Sequence, residues 1–175
     1  MSFWDFFKLD QGDATKNHYH RLHERLEAHL PPESSEKDQA IMACLAGLLA
    51  RVAYIDLKIE CAEKSAMANI LKKFTNFNQK TIQIAVETAS DEMRDLAGIE
   101  NHLYCTPLND LLTQEERYHV LESLFAFAAS DGVACAQESE EIRIIAKSLQ
   151  LTHQHFLAAR ATVIESLANL KNNSD

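Results

Sequence analysis

The stretch "LFAFAASDGVACAQESEEI", Leu124 to Ile142, runs an apolar segment into Asp131-Gly132 and opens a second periodic segment in which Glu138 stands seven residues beyond Asp131. An earlier stretch, "LLARVAYIDLKIECAEKSAM", Leu48 to Met67, repeats the arrangement with Asp56 and, again seven residues on, Glu63. Apolar residues recur at helical spacing on both sides of each acid, which reads as helix, short loop, helix. With the two acids superposed, one constant offset puts Leu49 on Leu124, Val52 on Phe127, Ala53 on Ala128, Met67 on Ile142, Ile70 on Ile145 and Lys72 on Lys147. With a one-residue adjustment Asn78 then falls on Thr152. Matching acids, lengths and caps point to a duplicated helix-loop-helix-helix unit, with a pseudo-two-fold axis expected between the copies.

Composition supports the same class. Only four Gly and three Pro occur in 175 residues, and abundant Leu, Ala, Glu and Lys favour helices with short connections. A chain of this length buries roughly 70% of its unfolded surface and needs no metal or disulfide staple. The fold class expected is all-α, a bundle of about seven or eight helices. Residues 1–12 form an aromatic N-terminal segment, 13–170 a single helical domain, and 171–175 a polar tail.

Helix starts are marked by residues whose side-chain oxygen can accept an otherwise unpaired backbone N–H. Asp13 opens a helix that Pro31-Pro32 ends. Ser35 with Asp38 resembles a capping box and opens a helix to about Ile55, while Thr113 with Glu116 is the full box. Asn78 and Thr152 are the caps of the last helix in each copy. The most apolar run, "IMACLAGLLARVAYI", extends only from Ile41 to Ile55 and contains Arg51. A membrane helix needs about 20 apolar residues, so this run reads as a buried core helix.

The two acidic loops carry the candidate site. Asp56, Glu63, Asp131 and Glu138 would form a like-charge cluster if the axis passed between the loops, stable only with protons or a cation. Hard oxygen ligands of this kind suit Ca²⁺, Mg²⁺ or Mn²⁺. The other reading is purely structural: a Glu at the third helical position caps its own N-terminus, and Asp-Gly is an ordinary turn. Spacing alone leaves both open.

These residues resemble the tellurite-resistance protein B (TerB) family, whose pattern is a core helix ending in Ala-x-Asp-Gly, a short loop and an acid at the start of the next helix, used twice. "FAASDGVACAQESEEI" is the closer copy and "RVAYIDLKIECAEKSAM" the looser one; "LYCTPLNDLLTQEERYHVLESL", with Thr106 to Leu108 and Arg117, is similar to the segment before the family's second core helix. The resemblance covers about residues 36 to 160. It implies a bundle of about seven helices in two halves, acidic residues that bind metal, and a link to tellurite and other chemical stress beside membrane partners. Leu57 stands where the family has Gly, and Cys135 where an acid or small polar residue is common.

Other candidate residues compete with plainer roles. His18, His20, His23 and His29 flank a Tyr19, Leu22, Leu26, Leu30 stripe, so solvated helix edges compete with a transition-metal site. Cys61 and Cys135 lie at the loops, where neighbouring carboxylates oppose thiolate chemistry. Cys44, Cys61, Cys105 and Cys135 make no CxxC pair, and reduced thiols in a cytoplasmic protein are expected. The start, "MSFWDFFKL", offers an apolar surface for a membrane interface or a partner's groove, with packing onto its own domain as the plain alternative. Net charge is -9 and no basic stripe occurs, so nucleic acid is not expected as a partner.

The expectation drawn is a non-enzymatic, cation-responsive interaction module of a stress response, cytoplasmic or held at the inner face of the membrane by its N-terminal segment. A metal-dependent enzyme using the same four carboxylates is the alternative.

Overall fold

The computed structural model describes residues 25–95, 102–130 and 134–172. Among the described residues there are seven α-helices, a helical stretch at residues 25–27, one 3-10 turn and no strand, so the all-α expectation holds. The N-terminal aromatic segment, the Asp13 cap and His18, His20 and His23 lie outside the described residues. The chain forms two compact units that divide at residue 100. No helix among the described residues is long and apolar enough to cross a membrane.

The first unit contains α1 (Glu36–Ala53), a 3-10 turn (Tyr54–Asp56), α2 (Cys61–Phe74) and α3 (Gln79–Asp95). Ser35 starts α1 by accepting the Asp38 N–H at 3.1 Å, while its hydroxyl donates to the Asp38 carboxylate at 2.7 Å. The shorter Asp side chain thus closes on the cap's hydroxyl, in place of the backbone N–H that a Glu reaches. Helix α1 is apolar on all sides: Leu45, Leu48, Leu49, Ala46 and Val52 are wholly buried. Each buried Leu contributes roughly 1.5–3 kcal/mol relative to exposure, which makes α1 the centre of its unit.

Helices α2 and α3 pack on α1 and on each other. Helix α3 turns Ile82, Ala85, Val86, Ala89 and Met93 inward, the 3-4 spacing of a one-sided helix. Its N-terminus is capped by Asn78, whose Oδ1 accepts the Thr81 N–H at 2.9 Å. Residues 25–30 are tied to it twice. Thr81 Oγ1 donates to the His29 carbonyl at 3.2 Å, and Arg25 lies 3.9 Å from the buried Glu92 carboxylate.

The second unit contains α4 (His102–Leu111), α5 (Gln114–Ala128), α6 (Ala136–Ser148) and α7 (His153–Asn172). Thr113 and Glu116 form the full capping box of α5, with the Thr113 N–H on Glu116 at 2.7 Å and the Glu116 N–H on Thr113 at 3.2 Å. Thr152 caps α7 in a box whose reaching side chain is His155: the Thr152 N–H donates to His155 Nδ1 at 3.1 Å. Helices α5, α6 and α7 pack pairwise, as α1, α2 and α3 do in the first unit, and α4 lies against α5 and α6. The Phe125 and Phe156 rings meet with centroids 5.2 Å apart. Helix α2 begins at Cys61 and α6 at Ala136, α3 at Gln79 and α7 at His153. The constant sequence offset, with its one-residue adjustment, thus reappears as matched element boundaries.

Candidate functional site

The first acidic loop grows out of the last turn of α1. That turn tightens into the 3-10 segment Tyr54–Asp56, closed by the Leu57 N–H on the Tyr54 carbonyl at 2.9 Å. Leu57 then takes φ 60°, the left-handed region, with its side chain 75% exposed. A Cβ is strained there and glycine is not, so the chain reverses at a position suited to Gly. The backbone next extends through Glu60, the N-cap of α2, whose N–H donates to Glu63 Oε2 at 2.7 Å.

Lys58 puts a positive charge inside this loop. Its Nζ contacts Glu60 Oε1 at 2.7 Å. The hydrogen bond to Glu60 and its charge raise the Lys58 pKa, with a further push from Glu63. Reciprocally, the hydrogen bond and charge of Lys58 hold the Glu60 carboxyl below its ordinary value.

The second loop leaves α5 through Ala129 and Ser130, whose N–H groups reach the Phe125 and Phe127 carbonyls at 2.9 and 3.0 Å. Its far end is Cys135, the N-cap of α6. The Cys135 N–H donates to Glu138 Oε2 at 2.7 Å and the Glu138 N–H reaches Cys135 Sγ at 3.4 Å. A thiol therefore occupies the place that Thr113 holds in α5. No Lys or Arg lies between Asp131 and Glu138, so the second loop has no counterpart of Lys58.

Of the four acids expected to form a site, Glu63 and Glu138 are at the third position of their helices and both close caps. Asp56 contributes its backbone to the 3-10 turn; its side chain, and the whole of Asp131, lie outside what is described. Among the described residues no three His, Cys, Asp or Glu side chains gather to hold a metal ion. The donor chemistry differs between the loops: in the first, an ammonium sits on the Glu60 carboxylate, whereas the stretch from Asp131 to Glu138 holds no Lys or Arg and leaves Glu138 as a hard oxygen ligand. None of the four cysteines is in a disulfide; Cys61 and Cys135 are exposed and Cys44 and Cys105 buried. His29 Nδ1 lies 3.1 Å from the Arg25 carbonyl, a local helix-end contact.

One contributor has no local signal in the sequence. Arg117 Nη1 donates to Asn109 Oδ1 and to the Leu149 carbonyl, both at 3.0 Å, while Asn109 Nδ2 donates to the Ser148 carbonyl at 2.9 Å. These are the last carbonyls of α6, which its own helix leaves unpaired. Gln150, at φ 57°, completes the ending, with N–H bonds from Gln150 to Lys147 and from Leu151 to Ala146, both 3.0 Å. That is a Schellman motif with Gln in the position usually given to Gly. Arg117 thereby locks the end of the helix whose start carries Glu138.

No curated protein and no solved structure matches the chain. The family model of tellurite resistance protein TerB matches residues 40–161, a span that takes in both acidic loops and the Arg117 clasp. With well over half of its length inside that match, the chain belongs to the TerB family.

Proposed function

We propose that this chain is a non-enzymatic TerB module of a tellurite or chemical stress response, acting through a protein partner, in which a divalent cation engages the second acidic loop. Ca²⁺, Mg²⁺ and Mn²⁺ are the candidates, as hard cations matched to carboxylate oxygens. One observation carries the reading: the two loops end alike, each at a Glu in the third helical position that closes a cap, but only the first contains a lysine, which sits on the Glu60 carboxylate. Bringing a cation to the first loop means displacing Lys58. At the second, no Lys or Arg stands between Asp131 and Glu138 to compete. The first loop, with Lys58 on Glu60 and beside Glu63, is thus the self-neutralised one, and Asp131 with Glu138 the responsive pair. Residues 1–12 are the candidate attachment segment toward the partner or the inner face of the membrane.

Thermal melts and calorimetry with each of the three ions test the cation reading, since a ligand selective for the folded state raises apparent stability. Wild type gains stability and Glu138→Gln does not. Stability indifferent to all three ions at millimolar concentration would leave Glu138 as a cap and nothing more. Turnover that requires the metal, lost in Asp131→Asn, would favour the enzymatic alternative instead.

A further inference from the structure

Helix α7 packs on α5 and α6, and Phe156 and Ala159 in its first half are buried. Another stripe of the same helix faces away from those partners. Leu157 is 49% exposed and Ile164 50%, and Ala161 and Ala168 between and beyond them are exposed as well. At 3.6 residues per turn this stripe sits roughly a third of a turn round from Phe156 and Ala159, so the unit's own core does not use it.

The stripe has the spacing of a coiled-coil seam. Leu157, Ala161, Ile164 and Ala168 are separated by four, three and four residues, the d-a-d-a rhythm of two heptads, with large residues at d and alanine at both a positions. In that register Arg160 occupies position g and Glu165 the following e position. Five residues separate them, which is the g-to-e′ offset across a parallel two-stranded coil, and their charges are opposite. Both side chains are exposed, and neither is held in an ion pair among the described residues. In an antiparallel pair, g positions face g positions instead, and Arg160 would meet no acid there.

We infer that α7 is a self-association surface, taking the α7 of a second copy of this chain in parallel register through Leu157, Ala161, Ile164 and Ala168, with Arg160 of each copy paired to Glu165 of the other. Alanine at both a positions lets the helices approach closely enough for the two charged side chains to span the seam. Two heptads bury far less than the roughly 1200 Å² at which stable interfaces start, so the dimer exchanges with monomer. This inference does not rest on the cation reading of the loops.

Sedimentation equilibrium of the full chain, from about 10 µM to about 1 mM, covers the range in which so small an interface exchanges. The average mass climbs toward that of two chains. Ile164→Glu holds the protein monomeric while its helical circular dichroism stays unchanged, because Ile164 is half exposed. Arg160→Glu or Glu165→Arg alone weakens association about tenfold, and the two together restore it to within about threefold. A monomer at every concentration, association indifferent to Ile164→Glu, or a double charge swap that fails to restore it each overturns the inference.

Discussion

Cys135 and Glu138 cap each other across the first turn of α6, the Glu138 carboxylate taking the Cys135 N–H at 2.7 Å and the Cys135 sulfur taking the Glu138 N–H at 3.4 Å. The first bond is charge-assisted and short; the second uses a weak acceptor. Substituting oxygen for sulfur should therefore strengthen the weaker half. Cys135→Ser is expected to raise stability by about 0.5–1 kcal/mol and Cys135→Ala to lower it, as read by chemical denaturation.

Glu138→Gln separates the cap from the charge. A Gln at the third helical position still offers an oxygen to the Cys135 N–H, so the melting temperature without added cation should fall little, by the equivalent of about 0.5 kcal/mol. The stabilisation by millimolar Ca²⁺, Mg²⁺ or Mn²⁺ should disappear. In the other direction, Lys58→Gln removes the first loop's resident ammonium and should add a second, weaker cation response, visible as extra heat in calorimetry.

Leu57 sits at φ 60° with its side chain largely in water. Leu57→Gly removes a Cβ from a left-handed position and gives up little buried surface, so a gain of about 1 kcal/mol is expected from denaturant unfolding. Leu57→Val, branched at Cβ, should lose stability at the same position.

Arg117 serves three acceptors, the Asn109 amide oxygen and the Leu149 carbonyl at 3.0 Å and the Gln150 amide oxygen at 3.4 Å. Arg117→Met should cost about 1–3 kcal/mol, since it leaves part-buried acceptors without a donor. Arg117→Lys should recover only part of that, because an ammonium cannot reproduce the planar fork.

Acid should weaken the surface pairs in a defined order of sign. Lys58 and Arg143 hold Glu60 and Glu140 below their ordinary values, chiefly through hydrogen bonds, with their positive charge adding to the effect. A depressed carboxylate contributes stability above its unfolded pKa and loses it as pH falls through the folded one. The raised Lys58 works the other way, its share present below the ordinary lysine value and lost as pH rises through the folded one. Glu140→Gln should flatten the acid limb of the stability profile and leave neutral pH nearly unchanged, and added salt should mimic it.

Deleting residues 1–10 tests the attachment segment. Helicity and melting temperature should stay nearly constant while co-sedimentation with partner or vesicles is lost. A loss of several kcal/mol would assign the aromatics to the core, since each buried Phe is worth roughly 1.5–3 kcal/mol.

Much of this architecture was legible from the chain because its signals are local. Ser35, Asn78, Thr113 and Thr152 are oxygen-bearing side chains ahead of periodic segments, and each accepts the N–H three residues on. The matched starts of α3 and α7 were legible for the same reason, and those of α2 and α6 through the acids Glu63 and Glu138 in their first turns. Cys135 and Glu60 as N-caps were not, because neither residue type is favoured there and the reaching Glu alone marks the position. The Arg117 clasp was legible only as part of a family resemblance: it joins Leu149 across 32 residues, and no periodicity encodes such a bond. Asp131, the acid on which the cation reading leans most, lies outside the described residues.

Thirteen of the eighteen residues of α1 are buried, against four of fourteen in α2. The tolerance of the chain to random replacement is correspondingly lopsided. Almost any change in α1 either empties space or, at Ala40, Ala43, Ala46 and Ala50, forces extra volume into a filled interior, at about 1–3 kcal/mol each. Helix α2 can drift at most of its positions for a fraction of that. Sequence divergence should therefore accumulate after the acidic loop far faster than before it, and a library of single substitutions should show the boundary at Asp56 as a step in survival.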